Sequence, residues 1–374
     1  MLGGIAVFIA LILFIVAHEA GHFFAAKATG MKVTEFFLGF GPRIWSFRRG
    51  ETEYGIKPIP FGAYVKVVGM SSLEDVDPED EGRTYREKPF WAKSLVVLAG
   101  VAANFLIGYL IFFGISLAEG QPVLVDGEPV PSTSVAAVVP ETSDGQPTSA
   151  VEIGLEPGDT IVSVDGTDTP DWDALVAALS DRAGDEIVVG VVRDGEQISL
   201  SGELGTRVVD GEEQGFLGVA PSVLTESMSV GSAAISAGEQ VVTGIGFTFE
   251  SFARLLRFDT LGQMFGGIFG GEIADDVRPV SLVGVVQIGA QASEFGITNV
   301  LFILGIVNII LGTLNIVPLF PLDGGHFAVA VYEKVTGRTA DIRKLIPVAV
   351  VVIAFISIFG LAAILLDIVQ PIDL

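Results

Sequence analysis

Ala17-His18-Glu19-Ala20-Gly21-His22 sits inside an apolar run, and from Leu2 to Ala26 the only ionisable side chains are His18, Glu19 and His22. Positions four apart share a helix face, so His18 and His22 can offer two imidazoles to one divalent cation. Glu19 is then placed to act as a base on a water at that cation. His-Glu-x-x-His also arises by chance in soluble helices, but the setting here is different. A charge held mid-bilayer costs about 2.5–3.5 kcal/mol on insertion scales, and neutral imidazoles there need partners as well. A bound cation supplies one. The chain contains no cysteine, which removes thiolate sites and disulfides and leaves zinc held by nitrogen and oxygen as the expectation.

A third protein ligand has few sources, because the only other histidine is His326. It closes the stretch Asn315-Ile316-Val317-Pro318-Leu319-Phe320-Pro321-Leu322-Asp323-Gly324-Gly325-His326 at the end of another apolar run. Two prolines break a helix there, which predicts irregular backbone at Asp323. At membrane depth such backbone persists only where protein or a polar cavity surrounds it. Read from the residues alone, Asp323 and His326 both remain candidates.

These residues need elements to position them. The chain has 374 residues, half of them hydrophobic, and a mean hydropathy of +0.61, which indicates a polytopic membrane protein with a soluble insert. About 20 apolar residues cross a bilayer, and four stretches qualify: roughly Gly3–Ala26, Ser94–Leu117, Asn299–Leu319 and Leu345–Leu366. Eleven Lys and Arg residues lie from Lys27 to Lys93, and Lys334, Arg338, Arg343 and Lys344 lie between the last two spans. The positive-inside rule makes both connections cytoplasmic. Both termini and the region Ala118–Thr298 are then extracytoplasmic, with the His-Glu-x-x-His site toward the cytoplasmic side. The first run has no Lys or Arg before it and is too long for a cleaved leader, so it reads as a retained span. A net charge of −24 argues against nucleic acid as a partner, and a solvated acidic surface accounts for most of it.

The first cytoplasmic connection contains Phe36–Pro42 (FFLGFGP) and Tyr54–Val68 (YGIKPIPFGAYVKVV), aromatic and β-branched with Gly and Pro punctuation. These suit short strands lying on membrane or protein, either as a simple sheet edge or as a strand that pairs with extended substrate. Glu74–Glu81 reads as a solvated, mobile acidic loop. In the second span, Gly100-Val101-Ala102-Ala103-Asn104 combines small residues, which permit close helix packing, with one polar side chain. From Ser134 to Leu204 strands alternate with short helices around Gly154-Leu155-Glu156-Pro157-Gly158-Asp159-Thr160-Ile161-Val162-Ser163-Val164-Asp165-Gly166. Val241–Phe258 reads as an interfacial or membrane-packed helix, and Phe265–Gly271 (FGGIFGG) as flexible or re-entrant backbone.

Taken together, these residues resemble a known family. The Gly-Leu-x-x-Gly-Asp-x-Ile-x-x-Val-x-Gly signature resembles the PDZ family, whose domains bind extended peptides by strand addition. HEAGH, PIPFGAYVK, GVAAN and NIVPLFPLDGG, in that order, resemble the site-2 protease family of intramembrane zinc metalloproteases in its bacterial, single-PDZ form, and LFPLDGGH is similar to actinobacterial members. The departures are Val101 and Phe320 where proline is common, and Ala63 where glycine is usual. The resemblance implies a polytopic α-helical membrane protein of about four transmembrane helices, with a cytoplasmic-side membrane-associated β segment and an extracytoplasmic α+β PDZ domain. The corresponding regions are an N-terminal membrane region (1–117), a linker (118–133), a PDZ-like domain (134–204), a connector (205–298) and a C-terminal membrane region (299–374).

The resemblance further implies one Zn²⁺ per chain on His18, His22 and Asp323, with Glu19 as general base and His326 outside the ligand set. It also implies substrate-binding roles for Asn104, Asn315, Gly62 and Tyr64. The expected substrates are single-span membrane proteins already trimmed outside the membrane, commonly anti-sigma factors, cleaved within a multi-pass enzyme of the cell membrane. Peptide ends at the PDZ domain and the lipid bilayer are the other expected partners. Two alternatives are a non-catalytic PDZ-bearing adaptor, which the intact Glu19 disfavours, and a protease that clears signal-peptide remnants.

Overall fold

A computed structural model of the chain describes residues 2–71, 74–141, 146–209, 212–268, 278–293 and 296–370. Two units separate, one made of Met1–Ile115 with Gly231–Leu374 and the other of Ser116–Val230.

Within the first unit four helices are long and apolar enough to cross a membrane: α1 (Leu2–Ala28), α2 (Phe90–Glu119), α8 (Ile297–Asn315) and α10 (Ile346–Val369). The third of these is shorter than the hydropathy run suggested. It stops at Asn315, because Pro318 and Pro321 cannot continue the helical hydrogen-bond ladder.

Between α1 and α2 the chain forms a four-stranded sheet of β1 (Val33–Phe40), β2 (Trp45–Arg49), β3 (Thr52–Ile56) and β4 (Ile59–Val67), in the order β2-β3-β1-β4. β1 and β3 run parallel and the other pairs antiparallel. β4 is therefore an edge strand, with β1 on one side only. Phe23 and Ala26 of α1, Val33, Val67 and Val96 pack into one core beneath this sheet. The Glu74–Glu81 run is tethered, which corrects the expectation of a mobile loop. Glu74 accepts a 2.8 Å hydrogen bond from the Gly69 amide, Asp80 pairs with Lys32, and Glu81 pairs with Arg86. Lys32, 48 residues from Asp80, gave no local sign of that pairing.

The helix anticipated from Val241 begins at Val230 (α5, Val230–Leu255). Its first half is Ser, Ala and Gly rich, so it lacks a bulky stripe, yet Ala237 is buried against Phe112 and Ile309. α6 (Phe258–Ile268) continues it, so residues 265–268 of the FGGIFGG stretch are helical, and 269–271 lie outside the described residues. A short apolar helix, α7 (Leu282–Ala292), packs on the first half of α1, with Gly289 against Val7. Its N-terminal amides need acceptors, and the buried Asp367 of α10 accepts from Ser281 N at 2.8 Å and Gly284 N at 3.2 Å. Arg278 lies 3.5 Å from the same carboxylate.

In the second unit, a sheet runs Glu196–Glu203, Glu186–Arg193, Thr160–Val164, Pro131–Val138 and Val219–Val223 in spatial order, with the two-residue strand Thr167–Asp168 paired to Thr160–Val164. Helices α3 (Ser149–Ile153) and α4 (Trp172–Ser180) cover a core of Ile161, Leu175, Val189 and Leu217. The sheet thus takes in a strand from beyond Leu204, and that strand is its edge. Asp159 is buried and accepts from Arg193 Nε and Nη2, each at 2.7 Å, and from Glu156 N at 2.9 Å. This bidentate pair holds the Asp159 carboxyl below its ordinary range.

Candidate metal centre

α1 carries His18 and His22 one turn apart, as the spacing required. The third group comes from α9 (Asp323–Thr336), whose first residue is Asp323. Asp323 thus opens a helix; the irregular backbone expected at Asp323 is confined to 316–322 before it. Gly324 and Gly325 make that entry possible. A Cβ on Gly324 would lie 2.0 Å from the Ile316 carbonyl oxygen, and one on Gly325 would lie 2.4 Å from Phe320 N. The Asp-Gly-Gly sequence therefore presses the start of α9 onto the backbone of the preceding turn.

His18 Nε2 and His22 Nε2 are 3.2 Å apart, and each is 3.2 Å from Asp323 Oδ2. Two donors on a tetrahedral zinc, each bonded at 2.0–2.1 Å, stand about 3.3 Å apart. The three atoms therefore have the spacing of three ligands around one ion. The protonation pattern agrees. His22 Nδ1–H donates to the Val96 carbonyl oxygen at 2.7 Å, which leaves the Nε2 lone pair facing the other two groups. Asp323 Oδ2 is buried without a hydrogen-bond partner. Unpaired lone pairs gathered this closely repel one another unless a cation lies among them, so the residues fit zinc. Among the described residues this is the one cluster of three His, Cys, Asp or Glu side chains with converging ligand atoms.

The supporting backbone is as specific as the ligands. Gly21 of α1 meets α2 so closely that a Cβ there would lie 2.4 Å from the Ala99 carbonyl oxygen. A Cβ on Gly100 would lie 2.3 Å from His22 Nε2 and 2.9 Å from His18 Cε1. Gly100 therefore belongs to the centre, a role that a packing glycine in GVAAN did not announce. β4 packs on α1, with the Val65 backbone facing the Glu19 carboxylate, so the edge strand runs beside the centre.

The remaining sequence-derived candidates fall around this core. Asn104 is one turn beyond Gly100 on α2 and buried. Its carbonyl oxygen accepts from Asn308 Nδ2 at 2.7 Å, and its own Oδ1 has no partner. Asn315 ends α8 and donates from Nδ2 to the Leu311 carbonyl at 3.1 Å. Gly62 in β4 has φ +135°, and a Cβ there would lie 2.6 Å from Phe40 Cε2. The Tyr64 side chain is committed within the sheet: its hydroxyl donates to Glu35 Oε2 at 2.5 Å and accepts from Lys57 Nζ at 2.7 Å, and its ring stacks on Phe37. His326, one turn past Asp323, packs edge-on against Phe320 and does not join the triangle. Burial depresses its pKa, which favours the neutral imidazole.

Residues 6–359 match the model of peptidase family M50. The chain is 32% identical to zinc metalloprotease Rip1 of Mycolicibacterium smegmatis over 99% of this chain and 98% of that protein. It is likewise 32% identical to Rip1 of Mycobacterium tuberculosis over 99% and 98%. It is 25% identical to zinc metalloprotease RasP of Shouchella clausii over 92% of each. With its four apolar helices and its His18–His22–Asp323 cluster, the chain belongs to peptidase family M50, the site-2 family of intramembrane zinc metalloproteases.

Proposed function

We propose that this protein cleaves the membrane-spanning segment of single-span membrane proteins that have already been trimmed outside the membrane, regulators such as anti-sigma factors among them. The observation that carries this reading is the triangle of His18 Nε2, His22 Nε2 and Asp323 Oδ2, three ligands that leave a fourth zinc position open. When bound there, zinc polarises a scissile carbonyl and acidifies water. Glu19, beside the triangle on α1, takes the proton from the attacking water and passes it to the leaving amine. Asn104 and Asn315 hold the substrate carbonyl or its developing negative charge through their Nδ2–H donors, while the unpartnered Asn104 Oδ1 can accept from a substrate amide.

A helical segment is protected because its backbone amides are bonded internally, so it must unwind before cleavage. The free edge of β4 offers replacement partners. Side chains and amides alternate along a strand, so with the Val65 amide turned to Glu19, that of Ala63 shares the open edge. Gly62 and Tyr64 shape the strand and hold it to β1. The basic residues from Lys27 to Lys93 favour a cytoplasmic sheet, a metal centre near that side and a 116–230 unit outside the cytoplasm. That unit reads as PDZ-like, and its edge strand Val219–Val223 borders a groove against α4 lined by Leu175, Leu179 and Phe216, suited to an extended peptide end. There it filters substrates.

The test is Glu19→Gln, which keeps shape but cannot accept a proton. Metal analysis should find zinc retained while turnover of a single-span substrate falls about 10²–10⁴-fold. Turnover within a few-fold of the wild type would assign the base elsewhere.

A further inference from the structure

A cavity of about 340 Å³ opens at His326, one turn along α9 from Asp323, and has no role in the chemistry above. Its wall includes Gly69 and Met70, which follow β4, Tyr85 from the approach to α2, Lys93 in the first turn of α2, and His326 and Val329 from α9. Three features identify an occupant. First, the cavity lies along the chain path of the edge strand: β4 passes Glu19 at Val65 and ends at Val67, and two residues later the chain lines the cavity. A peptide laid on the free edge of β4 therefore runs from the metal centre into it. Second, a mostly apolar wall carries a charged pair. Lys93 Nζ and Glu333 Oε2 pair at 2.9 Å at 12% and 24% exposure, and Lys93 also sits over the Tyr85 ring. Lipid chains and the apolar heart of a membrane segment would desolvate these charges at a cost. Third, the Tyr85 hydroxyl is buried with no hydrogen-bond partner, although Tyr85 as a residue is only 8% exposed. An unmade hydrogen bond of this kind is unfavourable unless a ligand completes it. The volume is at the small end of the range for ligand pockets, about 300–1,000 Å³, which suits a few residues of extended chain.

We infer that this cavity receives the hydrophilic residues that flank the substrate's membrane segment on one side of the scissile bond, with the Tyr85 hydroxyl hydrogen-bonding their backbone. This rests on the proposed pairing of substrate with β4. It makes the enzyme selective for substrates whose cleavage site lies a few residues from the membrane boundary, since a purely apolar continuation would have to cover the Lys93–Glu333 ion pair.

The absence of native cysteine makes a cross-linking test direct. In the full-length Glu19→Gln protein, Lys66→Cys reports the β4 edge and Val329→Cys reports the cavity. Each is oxidised in liposomes with a single-span substrate whose cleavage site has been mapped with the wild type and whose single cysteine is moved along the chain. Val329→Cys should link only to substrate positions on one side of the cleavage site, farther from it than those reached by Lys66→Cys. If Lys66→Cys links and Val329→Cys does not, or links to both sides, the cavity is not a substrate subsite while pairing at β4 survives. If neither links, the β4 pairing fails and takes this inference with it. Tyr85→Phe supplies a second readout. The preference in kcat/KM for a substrate with its hydrophilic flank over one truncated there should fall about 2- to 12-fold, the worth of one hydrogen bond. An unchanged preference with zinc content intact would remove the hydroxyl from the proposal.

Discussion

Gly100→Ala is the sharpest probe of how the metal centre is built. The added methyl would begin 2.3 Å from His22 Nε2, 2.6 Å from His22 Cε1 and 2.9 Å from His18 Cε1. The groups it meets are the ring atoms that define the ligand triangle. His22 cannot simply swing away, because its Nδ1–H is held by the Val96 carbonyl at 2.7 Å on the same helix α2. Nor can α2 retreat freely, since Gly21 of α1 already touches the Ala99 carbonyl. Forcing one methyl group into a packed site costs about 1–3 kcal/mol, and here that strain falls on the bound arrangement. Zinc affinity should therefore drop about 5- to 150-fold, read by competition with a calibrated chelator, and cleavage should fall with it. Gly114→Ala lies on the same helix with nothing within 4 Å of the new Cβ, so it should leave zinc affinity unchanged and controls for helix propensity. Wild-type zinc affinity in Gly100→Ala, or an equal loss in Gly114→Ala, would refute the reasoning.

Three other outcomes are expected. Asp323→Ala should lose bound zinc and His326→Ala should keep it; metal analysis showing the reverse would assign the third ligand to His326. In the 116–230 unit, the Asp159 carboxyl sits below its unfolded value of about 3.9 because Arg193 binds it. Its contribution to stability is thus complete above about pH 4 and disappears as pH falls through the lower, folded value. Asp159→Asn should weaken hydrogen-exchange protection of the Glu186–Arg193 strand at pH 7 and flatten its decline below pH 4, and an unaltered decline would show that the pair is not responsible. Replacing the 116–230 unit by a short linker should admit untrimmed substrates while sparing cleavage of short ones. Loss of short-substrate cleavage in a folded, zinc-loaded protein would make the unit a required activator instead of a filter.

The sequence by itself determined the elements that depend on local pattern. Helical spacing places His18 and His22 on one face whatever surrounds them, and four long apolar runs become four long apolar helices because their backbone groups have no other partner in a bilayer. The prolines after Asn315 were enough to end α8. What sequence left open were choices between groups far apart in the chain. Asp323 and His326 differ by three residues, and only the packing of α9 onto the Ile316–Phe320 backbone decides that the carboxylate, not the imidazole, reaches the histidines of α1. Gly100 gives no local sign that a side chain there would strike two histidines some 80 residues upstream. The start of α5 lacked a bulky stripe, because its small residues are recognisable as a packing face only once Phe112 and Ile309 are set against them. Asp367 likewise reads as a stray charge near the end of an apolar helix until α7 arrives with unpaired amides. Periodicity is written in neighbouring residues, whereas ligation, close approach and capping depend on which distant backbone comes within 3 Å, and that is set only when the helices pack.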